Sequence, residues 1–551
     1  MILTVIVLYL AVVLSVGLLA HRRSRGTGED FYVASRSIGP FILLMTLFGT
    51  NMTAFSILGA SGEAYREGVL VYALMGSSSA LIVPLVFYFV GTRMWWLGKR
   101  HGYLTQVQFF RDRYGSEALA VGLFAVLVIL LLPYVLIGVK GGGDALAAVT
   151  GGPGVGLPSW VGSLAVCSVI FIYVTFGGMR STAWVNTFQT TVFMVVGAVA
   201  FLVITRSYGG LAEAMEQVRR SVPQLVMVGQ DRHTLLTMAS YLLVPLSVGV
   251  FPHIFSHWLS ADHAKSFKTT IVLYPLCIVV VWVPSVALGV IGNIDHPQPF
   301  AGPILVQLIL ENSGGVLAGL LAAGIFAAIM SSLDSQTLAV GTMFTQDIVR
   351  PYAFGGELPE QKQVLYSRIF IVLFLAAAFV ISQITTRSIF SLGVWSLSGY
   401  AGLFPLVVAA LYWRRSSATG ALAALVTTAV LWTVLLVRSQ SVEGVYTIAG
   451  SGVMPVVLIV AGSVTALVIG SLARPALDPA AVERFFPPAG RKSREIGLRM
   501  ALGAPKAGIS KLVLGQGLRP AGWGLAMGFV LAYLPARRAS RIDPVAALRA
   551  E

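Results

Sequence analysis

The feature that most constrains this chain is its succession of long apolar runs. Thirteen of them stand between charged or Gly/Pro-rich breaks, at about 2–20, 41–58, 69–97, 119–148, 159–176, 187–204, 235–257, 269–294, 314–347, 366–385, 388–412, 420–437 and 453–471. A helix needs about 20 apolar residues to cross a bilayer, so the pattern predicts an all-α polytopic membrane protein of about thirteen helices. Composition agrees. Of 551 residues, 56% are hydrophobic and only 11% charged, against about 25% charged in soluble proteins. That excludes disorder, a disulfide scaffold and an ordinary cytosolic enzyme. Cys167 and Cys277 lie inside apolar runs and read as buried thiols.

Charge sets the expected orientation. Arg22, Arg23 and Arg25 follow the first run, with no basic segment before it, so the run is a retained span with its N-terminus outside. Alternate loops carry Lys99, Arg100, Arg111, Arg113, Arg180, Lys265, Lys268, Arg350, Lys362, Arg368, Arg414 and Arg415, and those near 149–158 and 295–313 carry no Lys or Arg. Thirteen spans place the C-terminus inside, in the cell (inner) membrane. Residues 473–551 hold 13 Lys/Arg against five Asp/Glu, a net +8 of the chain's +15. An anionic lipid leaflet suits this tail better than nucleic acid. No soluble catalytic domain fits between the spans, so the chain reads as no enzyme. Gly151-Gly152-Pro153-Gly154-Val155-Gly156 follows a span rather than a strand and is no phosphate loop. Asn51-Met52-Thr53 lies within a span and is no glycosylation acceptor.

Three spans depart from plain apolarity. Span 2 contains Phe48-Gly49-Thr50-Asn51-Met52-Thr53-Ala54-Phe55-Ser56. Its small polar residues suit an unwound turn or, alternatively, a helix-packing surface. Span 7 contains Val244-Pro245-Leu246-Ser247-Val248-Gly249-Val250-Phe251-Pro252-His253, which should break or kink it. Five positions in span order separate the two interruptions, so spans 2–6 and 7–11 read as two five-span inverted repeats around a midplane site. Span 9 carries Ala328-Ile329-Met330-Ser331-Ser332-Leu333-Asp334-Ser335. Its hydroxyls either bond back to their own helix or join carbonyls freed by a broken helix around a hard cation, which prefers oxygen ligands. Asp334 is costly in a bilayer and is therefore a functional candidate, the alternative being a structural acid bonded to a facing span.

Over residues 1–470 the chain resembles the sodium:solute symporter family, which has the LeuT-type fold. The stretches that carry the resemblance are Asp30-Phe31-Tyr32-Val33-Ala34-Ser35-Arg36, Gly49 to Gly59, Phe176-Gly177-Gly178-Met179-Arg180 with Trp184 to Gln189, Phe251-Pro252-His253 with Trp258-Leu259, and Ala328 to Gln336 with Phe344 to Ile348. The resemblance implies Na⁺ as coupling ion, held by the carbonyls of Gly49, Met52 and Ala328 and the hydroxyls of Ser331 and Ser332. Gly49 stands where relatives often have Ala, an exchange that a carbonyl ligand should tolerate. Asn51 and Asn186 stand where some relatives have Asp, which removes negative charge from an ion path that includes Asn186 and Asp334. The fold would draw solute contacts from Asn51, Thr53, Ser56, Ser77, Ser78, Phe251, His253 and Trp395. Lys140, in Ile137-Gly138-Val139-Lys140-Gly141-Gly142-Gly143-Asp144, is either a solute contact or the partner of Asp144 at i,i+4.

The tail resembles something else. Arg494 to Ala504 and Tyr533 to Pro544 are similar to the C-terminal part of bacterial FtsX/MacB-type ABC permeases, with most of the intervening membrane sequence missing. Two domains are expected: a symporter at 1–472, and a basic cytoplasmic fusion remnant at 473–551 with no ATPase partner. The expected function is Na⁺-coupled symport of a small organic solute by alternating access. The competing readings are a proton-coupled symporter on the same fold, a sensory membrane module and an ABC exporter permease.

Overall fold

The structure, a computed structural model, describes residues 1–22, 27–152, 155–229, 231–300, 302–441, 446–474 and 479–486. The FtsX/MacB-like motifs of the tail lie outside these residues. The helices are α1 Ile2–His21, α2 Gly28–Val33, α3 Pro40–Asn51, α4 Phe55–Glu67, α5 Tyr72–His101, α6 Gln106–Tyr114, α7 Glu117–Val149, α8 Ser159–Ser207, α9 Leu211–Ser221, α10 Arg232–Gly249, α11 Pro252–Ser260, α12 Ser266–Ile291, α13 Ile304–Asn312, α14 Gly315–Ala353, α15 Glu360–Ile384, α16 Ile389–Tyr412, α17 Ala418–Arg438, α18 Pro455–Ala473 and α19 Pro479–Phe485.

Ten of the described helices are long and apolar enough to cross a membrane, or up to twelve if each of two bent pairs is one span. The expected span 159–176 is a shorter apolar helix, Ser159–Thr175, and the kink of α8 just after it is at the non-helical Gly178 (φ 58°). A Cβ at Gly178 would meet Phe31, so glycine here admits α2 against the kink. The described residues contain no strand.

The two bent pairs are the interruptions expected from sequence. α3 and α4 meet at 56°, and α10 and α11 at 52°. At the first break Met52 leaves helical geometry (φ −93°, ψ 86°). At the second, Phe251 is extended and Pro252 opens the next helix, where its missing N–H costs nothing. Backbone bonds stitch the two broken spans together at one end. Ile38 donates to the Ser260 carbonyl, and Asp262 donates back to the Ile38 carbonyl, each at 3.0 Å.

The most enclosed spans are α14 and α16, while α1, α15 and α18 face mainly outward. Glycines let helices approach at the centre. A Cβ at Gly138 would meet Leu333 of α14, at Gly141 Ala54 of the first break, and at Gly142 Val166 of α8. The run around Lys140 is thus a close-packing surface of α7. After α18 the chain returns to the helix ends. Phe485 is buried, stacks on His101 of α5 at 5.8 Å and meets Phe109 of α6 edge-on at 5.6 Å, while Arg484 pairs with Asp112 at 2.8 Å.

Candidate ion and solute site

The first break faces α14. Ser331 Oγ donates to the carbonyls of Gly49 and Ala328, each at 3.1 Å, so one hydroxyl joins the two helices that the ion reading requires. Ser332 is buried, and its hydroxyl donates to the Ile329 carbonyl at 3.2 Å. Met52 is buried at the helix end, where a carbonyl is not claimed by a continuing helix. Gly49 is more constrained than expected. A Cβ there would lie 1.9 Å from Thr190 Oγ1 of α8, which is held by its bond to the Met45 carbonyl at 3.0 Å. Alanine at 49 therefore requires a change at 190, however well the carbonyl itself suits a ligand.

The second break is aromatic. Phe251 packs against Tyr400 (ring centroids 4.6 Å apart), His253 (4.8 Å) and Tyr134 (5.0 Å). His253 is fully buried, and neither ring nitrogen has a partner among the described residues. A polar ring left unpaired in a buried position is costly. Asn51 reaches this cluster from the first break. Its Nδ2 donates to the Tyr274 hydroxyl at 2.5 Å, and its carbonyl accepts from the Tyr134 hydroxyl at 3.3 Å.

The other candidates divide. Thr53 and Ser56 stay within the first break, where Thr53 Oγ1 accepts from the Phe55 N–H at 2.9 Å and Ser56 Oγ donates to the Thr53 carbonyl at 3.0 Å. Ser77 and Ser78 bond back to the carbonyls of Ala73 and Leu74, and Ser77 is exposed. Lys140 pairs with Asp144 at 3.1 Å, both partly exposed. Trp395 is buried beside α17, with its carbonyl accepting from Trp432 Nε1 at 2.8 Å.

Asp334 and Asn186 meet one turn beyond Ser331. Asp334 is fully buried and accepts from the Tyr173 hydroxyl at 3.2 Å and from Ser335 Oγ at 3.0 Å. Asn186 Nδ2 reaches Ser335 Oγ at 2.9 Å, and His257 Nε2 lies 3.0 Å from the same oxygen. Tyr134, Tyr173, Thr190, His257, Tyr274 and Tyr400 are the site neighbours that the sequence did not reveal. Aromatic residues in an apolar run look like core, and Ser335 was visible only as part of a polar stretch.

The sodium:solute symporter family model matches residues 31–428. The chain belongs to the sodium:solute symporter family. This symporter is 26% identical over 472 residues to the sodium/pantothenate symporter of Escherichia coli K12, an alignment covering 83% of this chain and 95% of that protein. It is 24% identical over 460 residues to sodium/proline symporter 2 of Staphylococcus saprophyticus, covering 80% and 88%. Among solved structures it is similar to a Na⁺-coupled sialic acid symporter, with a TM-score of 0.71 at 19% identity over 86% of this chain and 98% of that one. Mhp1, a nucleobase-cation-symport-1 family transporter, gives a TM-score of 0.51 at 13% identity over 82% and 97%. The symporter is a multi-pass membrane protein with the LeuT-type fold, a transporter rather than an enzyme, and its symport is coupled to Na⁺.

Proposed function

We propose that Na⁺ binds where the first break meets α14, with the carbonyls of Gly49, Met52 and Ala328 and the hydroxyls of Ser331 and Ser332 as ligands. The observation that carries this reading is the Ser331 hydroxyl, 3.1 Å from carbonyls of two different spans. Such oxygens suit a hard cation and neither take up nor release a proton near neutral pH. The solute binds at the second break, its apolar part against Phe251 and its polar groups toward His253 and Asn51. Thr53 and Ser56 shape the first break, Asn186 and Asp334 border the ion path, and Ser77, Ser78, Lys140 and Trp395 are more distant contacts. The named relatives move pantothenate and proline, so a small organic solute bearing a carboxylate heads the substrates to test.

The mechanism we infer is alternating access. Ion and solute together favour the state that opens inward. A tenfold inward Na⁺ gradient is worth about 1.4 kcal/mol, and a 100 mV potential adds about 2.3 kcal/mol. Together they support roughly several-hundredfold accumulation of a neutral solute per ion. We place the N-terminus outside, the C-terminus inside and the protein in the inner membrane. We take 1–472 as the transport domain and 473–551 as a fusion remnant.

The test is uptake into proteoliposomes under an imposed Na⁺ gradient at fixed pH, with a competition panel of sugars, amino acids, carboxylates and vitamins to find the solute. Ser332→Ala should raise the sodium half-saturation at normal abundance, and an unchanged value would sink the ligand assignment.

A further inference from the structure

α11 carries two histidines four residues apart, one helical turn, with different surroundings. His253 lies in the aromatic cluster against Tyr134 and Phe251. His257 is equally buried but reaches Ser335 of α14, with Nε2 3.0 Å from Oγ. Ser335 is tied to Asp334 (3.0 Å) and Asn186 (2.9 Å), and it stands one turn from Ser331, which bonds the Gly49 carbonyl. No other side-chain hydrogen bond of His257 is seen among the described residues, and its Nδ1 is buried without a partner. A single polar contact therefore fastens the half-helix of the solute site to the helix of the ion site.

We propose that His257 is a positioning residue that couples ion occupancy to solute affinity. It holds α11 to α14 through Ser335, so that a shift of α14 at Ser331 on ion binding moves His253 into its working place. Two sites are coupled when an element shared between them changes its energy with occupancy of either; α11 carries His253 of the solute site, and its His257 meets Ser335, one turn from Ser331. The covalent turn between His253 and His257 transmits the displacement, and the His257–Ser335 bond is its attachment. Without that bond α11 keeps its apolar packing, since Trp258 and Leu259 are buried, but loses its register to the ion site. The inference rests on the Na⁺ site proposed above.

The test uses Na⁺ alone as the probe, on the full-length purified protein. Radioactive sodium binding is measured together with hydrogen–deuterium exchange of peptides 252–260 and 328–335, in Na⁺ against K⁺. In the parent protein, Na⁺ should slow exchange in both peptides. In His257→Ala, sodium binding should stay within about threefold and protection of 328–335 should persist, while protection of 252–260 falls at least fivefold. His257→Gln, which can still bond Ser335 Oγ, should restore it. Should His257→Ala fail to fold, His257→Phe keeps a ring in the same place, cannot bond Ser335 Oγ and should give the same split. Equal protection of 252–260 in variant and parent would overturn the proposal. So would loss of sodium binding in His257→Ala, since His257 would then belong to the ion site itself. Absence of sodium binding in the parent would instead overturn the site reading beneath it.

Discussion

The two broken spans bend by nearly the same angle, 56° and 52°, yet they are built from different chemistry. The α3–α4 break is made by small polar residues. It turns a carbonyl toward a serine of α14 and leaves no room for a Cβ at Gly49. The α10–α11 break is made by proline and glycine, and it presents rings and an unpaired histidine. A broken helix frees backbone groups wherever it occurs. What those groups can hold depends on the side chains around them: oxygen and tight packing at one break, aromatic surface and a polar ring at the other. The division of labour proposed here, ion at the first break and solute at the second, follows from that difference. Asn51 of the first break reaches the second through Tyr134, which packs on Phe251, and His257 joins α11 to α14 at Ser335.

The largest expected effect lies at the first break. Ser331→Ala should raise the sodium half-saturation tenfold or more, because the hydroxyl that bridges Gly49 and Ala328 is lost, and solute affinity at saturating sodium should change less than threefold. His253→Leu should do the reverse, raising the solute half-saturation about fivefold with sodium binding intact. Equal effects of both variants on both ligands, measured as uptake against sodium and solute concentration, would erase the comparison.

Gly49→Ala should be next in size. Forcing a methyl against Thr190 Oγ1 is overpacking, which costs about 1–3 kcal/mol. Thr190→Ala removes that oxygen and should recover much of the loss, a non-additivity readable in thermal melts of the two single variants and the double variant. Simple additivity would mean that Thr190 does not set the limit at this position. The smallest effects concern the far end of the chain. Deleting 490–551 keeps α19, and uptake should be unchanged. Ending the chain after Arg474 also removes Phe485 and Arg484, and the melting temperature should fall by a few degrees. A loss of uptake on the first deletion would show that the tail takes part in transport.

Much of this was legible in the sequence. Long apolar runs declare spans because lipid leaves the backbone few alternatives. The breaks showed because Gly49 to Thr53 and Pro245 to Pro252 interrupt such runs, and Ser331 and Ser332 stood out as adjacent hydroxyls among alanines. The i,i+4 spacing of Lys140 and Asp144 also showed their pairing as one of two readings. What stayed hidden depends on contacts between distant spans. Nothing near Thr190 marks it as filling the space of the missing Cβ at Gly49. Tyr134, Tyr274 and Tyr400 are indistinguishable from core residues until the fold aims them at Asn51 and Phe251. Nor does α11 show by itself that its second histidine meets Ser335. That a methyl at 49 would meet Thr190 Oγ1 stayed hidden for the same reason, since the obstacle belongs to α8.

The central claim, that the oxygens holding sodium stand where the first break meets α14 and not in the aromatic cluster at the second break, is tested most directly by equilibrium binding of radioactive sodium. The measurement compares purified parent, Ser331→Ala/Ser332→Ala and His253→Leu proteins at one pH. The account predicts saturable binding in the parent and in His253→Leu, and at least tenfold weaker binding in the double serine variant. Undiminished sodium binding by the double serine variant would contradict it.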